Sequence, residues 1–138
     1  MNTITLAAYV GPHSASPDWT TERQLNAREL LAFVNALLEQ LQSELGVALH
    51  VNPATGSCVS GQTFGGFRPQ SCLQGAPNSS HKEGQGVDVY DPANEIDSVI
   101  TDVLLEQFNL YREAPSATNG WCHLTTRAPH SGHRTFLP

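Results

Sequence analysis

Basic residues are scarce in this chain: seven Lys and Arg stand against thirteen Asp and Glu, a formal charge of −6. No cationic stripe is available to neutralise phosphates, which argues against a nucleic-acid partner. Long apolar runs are missing as well. Met1 to Val10 holds only a short one, with no Lys or Arg before it, so it is a poor signal peptide and far too short to span a bilayer. The expectation is synthesis in a cytoplasm without membrane insertion. With only three cysteines a disulfide framework is not expected. Cys58 and Cys72 could close one loop in an oxidising compartment, but reduced thiols are the simpler reading. No repeat or low-complexity segment is present. What remains is 138 residues, 39% of them hydrophobic, enough for one core and one domain with little room for a separate binding module.

The most informative stretch is Ala76 to Asp91. A turn-forming segment (Pro77, Asn78, Ser79, Ser80) leads through Gly84 and Gly86 into an alternating Val87-Asp88-Val89-Tyr90 strand. His81 and Asp88 flank the glycines. An imidazole and a carboxylate suit a borderline cation such as zinc, and the glycines let the backbone aim both side chains at one point. On spacing alone the signal is weak, because most such pairs are solvated loop residues.

Upstream, Asp18 to Leu45 reads as a long helix with a loose start. Thr21 and Gln24 have capping-box spacing, Leu30, Val34, Leu37, Leu38, Leu41 and Leu45 share one face, and Gly46 ends it. Val47 to Val51 alternates as a short strand, with His50 at a surface or edge. Asn52 to Asn78 has no sustained period, and a stretch that long in a small domain usually carries function or is partly mobile. Within it Arg68 is either a structural partner for a carboxylate or a fork holding a substrate carboxylate. Downstream, Asp91-Pro92 ends the strand and Asn94 caps a second helix running to about Phe108. Ile96, Val99, Ile100, Val103 and Leu104 form its apolar face, leaving Asp97, Asp102 and Glu106 wet. Leu110 to Glu113 and Trp121 to Thr125 read as paired strands, bringing Glu113 near His123. Cys122 should enter the core while His123 faces the opposite side. The tail, with His130, His133 and Arg134, reads as a structural or substrate-edge segment, because Ser131-Gly132 disfavours a helix.

Three segments carry a family resemblance. Ser79-Ser80-His81-Lys82-Glu83-Gly84-Gln85-Gly86-Val87-Asp88 resembles the Ser-x-His-x-x-Gly-x-Ala-x-Asp signature of the zinc D-Ala-D-Ala carboxypeptidases, with Gly86 where Ala is usual. That group also contains phage endolysins and shares its fold with the Hedgehog signalling domain. Phe64-Gly65-Gly66-Phe67-Arg68-Pro69 resembles its Ser-Gly-Phe/Tyr-Arg-Pro segment, and Gly120-Trp121-Cys122-His123-Leu124 its Trp-x-His segment. The flanks, 26–34 and 129–138, look like a small phage and bacterial branch of the group.

The resemblance implies zinc held by His81, Asp88 and His123, with Arg68 on a carboxylate of a peptidoglycan stem peptide; Ser80 beside the ligand is a further candidate, and Trp121 is either core or a wall of the substrate groove. It implies an endolysin-like carboxypeptidase or endopeptidase acting at the bacterial cell wall, and a monomer is expected. Three protein ligands and one open position allow zinc to acidify a water and polarise an amide carbonyl. A carboxylate must then move the proton. Members of the group carry an acid shortly before the final His, whereas Thr118-Asn119-Gly120-Trp121 has none, and Glu113 is the nearest upstream acid. That departure keeps open a catalytically silent relative that binds peptidoglycan or serves in a virion. The expected architecture is α+β, Hedgehog/DD-peptidase-like: a small antiparallel sheet centred on Val87–Tyr90 and Trp121–Thr125, two helices on one side and the metal on the open face.

Overall fold

In the computed structural model, which describes residues 4–138, the long helix α2 spans Thr21–Leu45. Met1–Thr3, the start of the segment read as a poor signal peptide, lie outside the described residues. Thr20, one residue before the expected cap, closes the N-terminus of α2 by accepting from the Arg23 N–H at 3.3 Å. Gly46 closes the other end with φ 66°, a left-handed turn that costs a residue without Cβ little. Leu30, Val34, Leu37, Leu38 and Leu41 are all at most 1% exposed, so the expected stripe is the core face. Truncating any of them to Ala costs about 2–5 kcal/mol. Leu45 does not belong to it: the helix ends there, and the side chain is exposed.

The stripe packs into one hydrophobic core with Val87, Val89, Cys122 and Leu124 from a four-stranded sheet. Its strands are β1 Gly86–Tyr90, β2 Tyr111–Glu113, β3 Trp121–Thr125 and β4 Thr135–Phe136, in the spatial order β1-β3-β2-β4. The fold is α+β, as the pattern predicts, but the sheet is mixed. β1, β3 and β2 run antiparallel in turn, whereas β4 lies parallel to β2. The tail returns along the free edge of β2, and Arg112 and Ala114 donate to the carbonyls of Arg134 and Phe136 at 2.8 and 2.7 Å. A two-residue strand has no visible period. β1 is not central in the ladder either. Its outer edge is taken by the preceding loop, with Ser60 N to Asp88 O at 2.8 Å and Asp88 N to Gly65 O at 2.7 Å.

Two further expectations are overturned. Residues 47–51 form no strand: Val47 turns into the core, where its N–H bonds Leu41 O, while Val51 is exposed. The expected second helix is two, α3 Glu95–Val99 and α4 Asp102–Gln107, broken where Ile100 turns extended (φ −68°, ψ 132°) and Thr101 caps the second piece. The break rotates the apolar face. Val103, assigned inward, is exposed, and Asp97, assigned to water, is buried. Asn94 occupies the cap position of α3 in a left-handed conformation, but the Asp91 carboxylate does the capping, accepting from Ile96 N at 3.0 Å and Asp97 N at 3.1 Å. Buried Asp97 accepts from Thr118 Oγ1 at 2.9 Å and Arg112 Nη1 at 3.3 Å, tying α3 to the back of the sheet.

A short helix α1, Leu6–Val10, is anchored by Tyr9, whose hydroxyl donates to Gly86 O at 2.9 Å. Its carbonyl accepts from Phe67 N at 3.0 Å. A Cβ on Gly66 would overlap that carbonyl, so Gly66 is what lets α1 lie against the loop bearing Arg68.

Candidate metal centre

Alternation along β1 and β3 sorts the side chains. Val87, Val89, Cys122 and Leu124 point into the core, while Asp88 and His123 sit opposite each other on the other face. Cys122 is fully buried, as expected, and burial beside Asp97 pushes its thiol well above its ordinary value. All three cysteines are free thiols.

His81 comes from a different local structure, a 3-10 turn over Ser80–Glu83 started by Ser79 Oγ and closed by left-handed Gly84. Its Nδ1–H donates to the Gly66 carbonyl at 2.7 Å. A carbonyl can only accept, so this bond fixes the tautomer and turns the Nε2 lone pair toward Asp88. Asp88 Oδ1 lies 3.3 Å from His81 Nε2 and 2.8 Å from His123 Nδ1, and its Oδ2 lies 3.3 Å from Arg68 Nη2. The carboxylate is thus divided, one oxygen for two imidazoles and one for a guanidinium.

Burial alone would raise the Asp88 carboxyl, but His81 and His123 outweigh it and hold the group well below the usual carboxylate range. Burial holds the His81 imidazole below its ordinary value, with Asp88 opposing. An ionised carboxylate facing a neutral imidazole of fixed tautomer is what a cation requires. The ligand atoms of His81, Asp88 and His123 lie within 4.8 Å of one another, and the group could hold a metal ion. The 2.8 and 3.3 Å separations compare with the roughly 3.4 Å edge of a tetrahedron with bonds near 2.1 Å. Two nitrogens and one oxygen make a mixed donor set open to several divalent cations.

The centre opens on a cavity of about 550 Å³, and each site residue expected from the sequence lines it: Arg68, Ser80 and Trp121 beside the three ligands, and Glu113. β2 pairs with β3 through Tyr111 with Thr125 and Arg112 with Leu124, and Glu113, paired with Phe136 of β4, lines the same cavity as His123. Arg68 is buried and has more partners than a free fork would. Nε donates to Phe64 O at 2.7 Å and Nη1 to Gln74 O at 3.3 Å, besides the Asp88 pair. Three of its five N–H donors are therefore committed, two of them fixing the guanidinium and one meeting Asp88. Gly86 also has a local reason: a Cβ there would overlap Ser80 Oγ and come within 3.2 Å of His123 Cε1. His50, as expected, lies at the surface, 3.4 Å from Glu95.

Sequence reasoning missed Phe136 and Arg127. Phe136 sets its ring edge-on to His123 at 6.5 Å, so the tail walls the site. Arg127 continues the cavity-facing alternation His123, Thr125, Arg127, a pattern visible in the sequence once β3 is assigned. No protein-family model matches the chain, and neither a curated protein nor a solved structure matches it.

Proposed function

We propose that this protein is a zinc-dependent peptidase that hydrolyses peptidoglycan stem peptides at the bacterial cell wall. The observation that carries the reading is the convergence of His81, Asp88 and His123 on one face of a cavity that also admits Glu113. Zinc bound by the three residues would supply the Lewis acidity that activates water and polarises the scissile carbonyl. Asp88 would hold the ion with the two imidazoles, while Arg68 bonds Oδ2 and orients the carboxylate. The bond from His81 Nδ1 to Gly66 prevents the ring from turning away. Glu113, which lines the same cavity as His123, takes the proton of the attacking water and returns it to the leaving amine. Trp121 and Phe136 wall the cavity and limit water around the reacting bond.

One observation favours the catalytically silent reading. Thr118 and Asn119 stand where an acid would be usual, and their side chains bond Asp97 and Asn94 instead, so neither substitutes for the missing carboxylate. Incubating purified peptidoglycan and a synthetic stem pentapeptide with zinc-loaded and chelated protein decides between them. Mass spectrometry is expected to show zinc-dependent loss of D-Ala or a cut within the stem or cross-bridge. Intact substrate with demonstrably zinc-loaded protein would establish the silent relative.

A further inference from the structure

Two arginines line the cavity, in different electrostatic situations. Arg68 is 6% exposed, and its charge is matched by Asp88 at 3.3 Å. Arg127 is exposed, and among the described residues it pairs with no carboxylate. Its position is nonetheless fixed. The Thr125 hydroxyl accepts from its backbone N–H at 3.0 Å, and Nη2 donates to the Asn78 carbonyl, just before the turn that presents His81. One N–H of five is committed there, which leaves a guanidinium held across the cavity wall with most donors open.

The surroundings sharpen the point. The chain carries a charge of −6, and the acidic side chains lining this cavity are Asp88 and Glu113. Lys82, close in sequence, is buried elsewhere with Nζ on Gln70 O at 2.9 Å. An unmatched cation at the rim of a cavity in an acidic protein favours a ligand that brings an anion to meet its charge. Its planar fork matches a carboxylate in two parallel hydrogen bonds.

We propose that Arg127 is a specificity-determining residue that binds a free carboxylate of the peptide substrate, while Arg68 serves the metal centre. The proposal rests on the peptidase reading for the identity of the peptide, and its test separates the two. The probes are a synthetic stem pentapeptide and the same peptide with every carboxylate amidated. Affinities are measured by calorimetric titration of zinc-loaded Glu113→Gln protein, with and without Arg127→Gln or Arg127→Lys. Cleavage is followed separately in the chain that retains Glu113.

The expected result is about tenfold tighter binding of the free peptide than of its amide, the size of one charge-assisted contact at an open rim. The preference should shrink with added salt, vanish in Arg127→Gln and return in part with Arg127→Lys. A role confined to bracing Asn78 would weaken both peptides alike. Equal affinity for the two peptides, or a preference that survives Arg127→Gln, overturns the proposal. Preference without cleavage would sink the peptidase reading and leave the carboxylate assignment standing, and cleavage without preference would do the reverse.

Discussion

Asp88 and His123 face each other across the β1–β3 ladder with Asp88 Oδ1 2.8 Å from His123 Nδ1. Residues 35 apart in the chain are thereby fixed by main-chain hydrogen bonds rather than by flexible loops, and His81 is added by a turn whose backbone is braced at both ends. A centre on a rigid ladder keeps its donor atoms together without the cation, so binding need not first order the site.

Glu113→Gln is expected to retain zinc and lose turnover by a factor of roughly 10²–10⁴, the usual contribution of a positioned general base. Zinc content and the rate on a stem pentapeptide, measured on the same preparation, check this. Unchanged turnover would remove Glu113 from the mechanism.

Gly86→Ala, which installs the residue usual in the resembling signature, should destabilise the protein by about 1–3 kcal/mol, because the new methyl meets Ser80 Oγ and crowds His123. Ser80→Ala in the same chain should recover part of the loss, since the hydroxyl is the nearest obstacle. Urea unfolding of the two single variants and the double variant measures the coupling. Strict additivity would show that the overlap is relieved some other way.

Metal-free protein should lose stability on acidification in two stages. The folded His81 imidazole binds a proton less readily than the unfolded one, so its contribution is complete above about pH 6.5 and is lost as pH falls below that value. The Asp88 carboxyl is held low, so its contribution is complete above about pH 4 and is lost on further acidification. Asp97 acts in the opposite sense, because burial raises its carboxyl and protonation relieves that cost. Urea midpoints of chelator-treated protein between about pH 7 and about pH 5.5 should fall, and His81→Gln should flatten that limb. An unchanged slope in the variant would show that His81 is not the group responsible.

Much of this arrangement was legible in the sequence for physical reasons. Leu30 to Leu41 repeat at the helical period because one face of α2 meets the core, and β1 and β3 alternate because one face does. The same alternation placed Asp88 and His123 on the side away from Cys122. Features set by tertiary contacts were not legible. The break at Ile100–Thr101 interrupts an apolar pattern that continues on paper, and burial of Asp97 depends on Arg112 and Thr118, partners distant in the chain. β4 exists because the edge of β2 offers hydrogen bonds, not because Thr135-Phe136 announces a strand. Arg127 escaped notice because its significance is a charge balance within one cavity, which only folding assembles.

The most direct measurement is the zinc stoichiometry of purified protein beside His81→Ala, Asp88→Ala and His123→Ala, by atomic emission with circular dichroism to confirm folding. One zinc per chain in the parent, and none in each folded variant, is the predicted result. Zinc retained at full stoichiometry in Asp88→Ala would contradict the account at its centre, since Asp88 Oδ1 is the atom both imidazoles face.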